Sequence, residues 1–139
     1  MKTKITLLTL TAIMLIMLAA CGAEEPPAMS ASSLESAQDI GQGSRIFRFE
    51  VTDDTETVTV WNVHTDDTTV GEALLAIGLI DGDVSEFGLY VKKVDGLIAD
   101  YDANQSWWAF FIDGEMAMTG VDFTDIEEGV TYAFVYTSD

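Results

Sequence analysis

A single cysteine, Cys21, among 139 residues limits how this chain can be held together. No intramolecular disulfide can form, and thiolate-based zinc sites are excluded. There is also one histidine, His64, so a metal centre would rest almost wholly on carboxylates. Any domain in the chain must therefore be stabilised by its apolar core, and a chain of this size has little stability to spare.

The surroundings of Cys21 give it a different meaning. Met1-Lys-Thr-Lys4 is a short basic start, and Ile5 to Leu18 is apolar apart from Thr6, Thr9 and Thr11. A basic start, a short apolar run and small residues before a cut define a secretory signal. The run is short for a stable membrane-spanning helix. Leu18-Ala19-Ala20-Cys21 closely resembles the bacterial lipobox. That resemblance implies diacylglycerol (palmitate-type chains) on Cys21, cleavage after Ala20 and a lipoprotein anchored on the extracytoplasmic face of the cell membrane. At least two acyl chains are needed for lasting attachment, which such processing supplies. Residues 22–43 carry Pro26, Pro27 and four serines with few large apolar side chains. This composition cannot bury enough surface to order itself and reads as a disordered tether. The expected organisation is a signal peptide at 1–20, a lipidated tether at 21–43 and one domain at 44–139.

The net charge is −18, and removal of residues 1–20 takes away Lys2 and Lys4 but no acid. A surface this negative repels nucleic acid and anionic headgroups, so neither is an expected partner. A solvated acidic surface that resists aggregation explains the excess without any ligand.

From Arg45 onward, short apolar segments alternate with turn signals. Arg45 to Val51 places Phe47, Phe49 and Val51 on one face of a half-buried strand. Thr57 to His64 is β-branched and aromatic, a second strand, with Asp53-Asp54 in the turn before it. Thr69-Val-Gly-Glu72 fits a capping box, Val70, Ala73, Leu74 and Ile77 recur at helical spacing, and Gly78 is placed to stop the helix. Gly88 to Val94 reads as a strand ended by the Asp95-Gly96 turn, and 97–105 as a loop. Ser106 to Ile112 is apolar on both faces, as expected of a central strand. Asp113-Gly114 is a hairpin turn leading into a returning strand at 115–118, and Val130 to Tyr136 closes the domain. This order predicts an α+β fold, one short helix packed on a mixed sheet.

The serial order of Thr69-Val-Gly-Glu-Ala-Leu-Leu75, Leu89-Tyr-Val91, Val94-Asp-Gly-Leu97, Ser106-Trp-Trp108, Phe111-Ile-Asp-Gly114, Gly120, Glu128-Gly129 and Phe134-Val-Tyr136 resembles the transcobalamin C-terminal-like domains. The resemblance implies a small β-grasp-like domain. It also implies a corrinoid such as cobalamin as a candidate ligand, covered on one side only, because the helical domain that completes the cage in the vitamin carriers is not seen in this sequence.

The segment from Asp95 to Trp108 is the leading candidate surface, with Tyr90 beside it. Tyr101, Asn104, Ser106, Trp107 and Trp108 supply hydrogen-bonding groups and flat rings. Adjacent tryptophans in a strand point to opposite faces, so one of Trp107 and Trp108 is a candidate for exposure. The competing reading places both in the core. Asp100-Tyr-Asp-Ala-Asn104 begins like a calcium loop, but Gln105 replaces the turn glycine and Phe111 the bidentate glutamate, which favours a plain polar turn. His64 could in principle ligate cobalt, though a solvent-facing strand end is the simpler reading. No nucleophile–base pairing or phosphate-cradling loop is visible, so no enzyme activity is expected. Two functions remain open. One is a binding lipoprotein that presents a small ligand to an uptake system; the other is a surface protein-interaction or wall-associated module.

Overall fold

The computed structural model describes residues 37–139, so the signal segment, Cys21 and the tether as far as residue 36 lie outside the described residues. The strands β2 (Arg45–Thr52) and β3 (Val58–Thr65) form an antiparallel hairpin. Its connection is tied by the Asp53 carboxylate, which accepts from the Thr55 and Thr57 amides. As the alternation predicts, Phe47, Phe49 and Val51 are buried.

With β1 (Gln38–Gly41), β7 (Ser106–Ile112), β8 (Glu115–Met116) and β9 (Thr131–Ser138), the hairpin forms a six-stranded mixed sheet in the order β1-β3-β2-β9-β7-β8. The last strand, β9 (Thr131–Ser138), lies parallel to β2, and β7 (Ser106–Ile112) runs antiparallel to β9. Directly opposed residues share a face, which collects Phe49, Tyr132, Phe134, Trp108 and Phe110 on the inner side. The rings interlock there: Phe49 meets Phe134 edge-on at 6.1 Å, and Phe110 lies 5.0 Å from Phe134. Tyr132 is fully covered, yet its hydroxyl donates to the Asp125 carbonyl and accepts from the Glu127 amide, so that hydroxyl is not stranded.

The helix α1 (Val70–Ala76) contributes Val70, Ala73 and Leu74 to the same core. Its capping box is complete, with Thr69 and Glu72 bonding each other's backbone amides. Gly71 is required by close packing: a Cβ there would fall 2.7 Å from the Cα of Asp122, in the 3-10 turn Val121–Phe123. After α1 the chain forms a second, antiparallel sheet of β4 (Ile80–Ser85), β5 (Gly88–Val94) and β6 (Leu97–Ile98). Ile80, Val91 and Val94 point from it into the core. The domain is thus α+β, with one short core helix and a small sheet set against one face of a mixed sheet.

Four details differ from the sequence reading. The tether assigned to 21–43 ends earlier, because β1 (Gln38–Gly41) pairs in parallel with β3. Only Ile40 in it packs on the core, so composition carries no signal for a strand held by edge pairing. The loop at 97–105 contains β6 and a helical turn, α2 (Tyr101–Asn104). β7 is paired along its length by β9 but by β8 (Glu115–Met116) only at residues 111 and 112, so it is not a central strand. The returning strand is correspondingly shorter than residues 115–118.

β1 is also held by a 2.8 Å contact between Asp39 Oδ1 and His64 Nε2. The His64 hydrogen bond keeps the Asp39 carboxyl below its ordinary 3.8. A carboxyl whose folded value is lowered adds stability above the unfolded value and loses it as pH falls through the folded one. Protection of the 38–41 amides from hydrogen exchange is therefore expected to drop selectively as the pH falls below 3.8. The Asp39→Asn variant is expected to have low protection above and below that pH.

Candidate functional site

The predicted site residues come together in three places around β7. The first is the junction of α2 and β7. Asp100 caps α2 by accepting from the Asp102 amide, and Gln105 closes the turn at φ 57°. The Asp100 amide donates to Ser106 Oγ at 3.1 Å, and Ser106 in turn donates to Asn104 Oδ1. Ser106 is fully buried, so its hydroxyl fastens the turn to the strand rather than facing solvent. Asn104 Nδ2 donates to the Tyr136 hydroxyl, and the Tyr101 hydroxyl to Asp139. This bracing sets the Tyr101 ring, 48% exposed, at 6.1 Å from the Trp107 ring with a 54° tilt. Trp107 is partly exposed, on the outer face of the sheet with Phe111 and Val135. Trp108 points to the inner face and is 6% exposed, so of the two tryptophans Trp107 is the accessible one.

The other two places are clefts that share Trp108 as a wall. One, of about 190 Å³, brings Asp95 to Trp108 together with Asp53, Asp54, Val51 and Leu97. Asp95 (φ 46°) and Gly96 (φ 83°) make the left-handed pair that a tight hairpin turn needs, which places the carboxylate at the rim. The other, of about 140 Å³, brings Tyr90 to Trp108 beside Phe110 and Val121. Tyr90 is 47% exposed, and Lys92 Nζ sits 6.0 Å from its ring centre. Lys92 is itself paired with Asp83 at 2.7 Å, which raises its pKa.

Asp53 and Asp54 were not among the predicted site residues. They belong to a turn more than forty positions before Asp95, and only the packing of the two sheets brings them together. Their sequence signal, two acids in a hairpin turn, is shared by many solvated turns.

Among the described residues no group of three or more His, Cys, Asp or Glu side chains is placed to hold a metal ion. His64 is paired with Asp39 on β3, three strands away from β7. The Asp100 carboxylate is engaged in capping α2, where it accepts from the Asp102 backbone amide.

The family described as "Domain of unknown function (DUF4430)" matches residues 67–138, from the start of α1 to the end of β9. Among solved structures, a candidate metal-binding protein from Ruminococcus gnavus is 29% identical, with a TM-score of 0.65 over 69% of this chain and 99% of that one. Haptocorrin in complex with Cbi is similar with a TM-score of 0.51 at 15% identity, over 75% of this chain and 27% of that one. At that identity the likeness is one of fold, and this chain spans about a quarter of haptocorrin's length. No curated protein matches the chain.

Proposed function

The chain belongs to the DUF4430 family, and from that premise we propose that it is an extracytoplasmic binding lipoprotein, anchored through Cys21, that presents a small flat ligand of corrinoid type to an uptake system. The observation that carries this reading is the braced Tyr101–Trp107 pair on a fold shared with haptocorrin. The Tyr101 ring, tied through its hydroxyl to Asp139, loses little freedom when a ligand stacks on it, which favours binding. The clefts beside Trp108 are smaller than the roughly 300 Å³ at which pockets enclose drug-sized ligands. A macrocycle would accordingly lie on the Tyr101–Trp107 surface, with Asn104 at its edge. His64 is not placed to ligate its metal, so the binding would be by stacking and hydrogen bonding.

A nuclear magnetic resonance titration of the full chain with cobinamide tests this reading. The indole N–H signal of Trp107 is expected to shift saturably, while that of Trp61 on β3 stays in place. An unmoved Trp107 signal would remove the proposed surface. A second reading, a module that binds another protein, is favoured by one observation: the outer sheet face leaves Trp107, Phe111 and Val135 only partly covered.

A further inference from the structure

We propose that the outer face of the six-stranded sheet is a dimerisation surface, on which a second copy of this chain packs sheet against sheet. The inference rests on the same open face as the protein-binding reading above and names its partner. Two independent features of the face support it. The first is its apolar character. A sheet with one solvated face ordinarily alternates apolar-in with polar-out. Here strand pairing lines up Val60, Glu50, Ala133, Phe111 and Met116 in one outward row across β3, β2, β9, β7 and β8. Val58, Thr52 and Val135 make the next row. Val58 is 54% and Met116 66% exposed, while Phe111 and Val135 are half-buried. Such a face is built like the inner face of a sandwich, where two sheets stack about 10 Å apart.

The second feature is charge. Among the described strand residues of this face, the ionisable ones are Asp39, Arg48, Glu50 and His64. Arg48 Nε lies 2.8 Å from Glu50 Oε1, and His64 Nε2 lies 2.8 Å from Asp39 Oδ1. The face therefore carries at most one net negative charge, at its β1 edge, in a chain of net charge −18. A basic partner would be drawn to the acidic surfaces and not to this one. Two copies of the chain repel each other across those acidic surfaces but can approach through a balanced face. A two-fold contact sets one patch against itself, and the neighbouring Arg48 and Glu50 are self-complementary in that arrangement. Strands about 4.8 Å apart, rising about 3.3 Å per residue, give the face a footprint on the order of 600 Å². A standard interface takes about 800 Å² from each partner, so the dimer is of reversible, micromolar strength. Trp107 opposes Thr137, beyond the last β2–β9 pair at Thr52 and Val135, so it sits at a corner of the face. Stacking of a ligand on Trp107 is not needed for the dimer.

Sedimentation equilibrium of the full chain in density-matched detergent tests the proposal. The expected result is a reversible monomer–dimer equilibrium whose dimer fraction rises with added salt, because salt screens the repulsion between acidic copies. Arg48→Glu makes the face negative and Glu50→Arg makes it positive, and each alone is expected to weaken self-association at least tenfold. An equal mixture of the two variants is expected to associate again, which also shows that both are folded. Lys93→Glu, at an exposed position of the small sheet, changes the net charge as much as Arg48→Glu and is expected to leave the dimer in place. The proposal is overturned by a trimer or an open polymer, by a dimer that survives both face variants, or by a mixture that stays apart. A monomer at every concentration also overturns it, and leaves the protein-binding reading to a different protein.

Discussion

Phe49→Ala is expected to destabilise the domain by about 4 kcal/mol, within the range for emptying a fully buried aromatic site. Phe49 is fully buried and touches Phe134 edge-on, so its loss opens a cavity at the centre of the inner face. No disulfide can compensate, because Cys21 is the only cysteine. For a domain of about a hundred residues, each kcal/mol shifts Tm by roughly 4–8 °C, which gives a fall on the order of 15–30 °C. Thermal unfolding followed by circular dichroism measures it. Val84→Ala, at a site 82% exposed, serves as the comparison and is expected to change stability by less than about 0.5 kcal/mol. A loss at Phe49 as small as that at Val84 would contradict the core assignment.

Cys21→Ala is expected to abolish incorporation of labelled fatty acid, the largest functional effect of any single change proposed. The residue lies outside the described structure, and the expectation rests on Leu18-Ala19-Ala20-Cys21. Each buried methylene of an acyl chain contributes about 0.8 kcal/mol, so two chains anchor lastingly where one does not. Labelling of growing cells followed by electrophoresis provides the measurement. Label retained by the alanine variant, or absent from the natural chain, would remove the anchoring proposal.

The elements that were legible in the sequence are those with strong local chemistry. The alternation in β2, the Thr69–Glu72 capping box of α1 and the Asp113-Gly114 turn all appear where expected, the last with φ 49° and 81°. What escaped is held by pairing rather than by its own residues. β1 has one apolar anchor, Ile40, and takes its order from β3. β4 reads Ile-Asp-Gly-Asp-Val-Ser, too polar to suggest a strand, and Gly82 sits where the register shifts against β5. The apolar outer face of β7 suggested a central strand, but it reflects a sheet face left partly open.

The candidate site divides in the same way. That one tryptophan of the pair would face outward follows from strand alternation, and Trp107 is that one. That Ser106 would be buried as the fastener of α2 could not be read locally, since its partners depend on the turn closed by Gln105. The grouping of Asp95 with Asp53 and Asp54 is likewise tertiary. The serial landmarks from Thr69 to Tyr136 fall within the matched family region, and the transcobalamin-like resemblance corresponds at the level of fold to haptocorrin.

Calorimetric titration of the full chain with cobinamide and with cobalamin tests the central claim most directly. The predicted result is saturable heat with a shift in the visible spectrum for at least one of them. That response should weaken at least tenfold in Trp107→Ala. Absence of both heat and spectral change for either ligand would contradict the account and leave the domain as a protein-binding module.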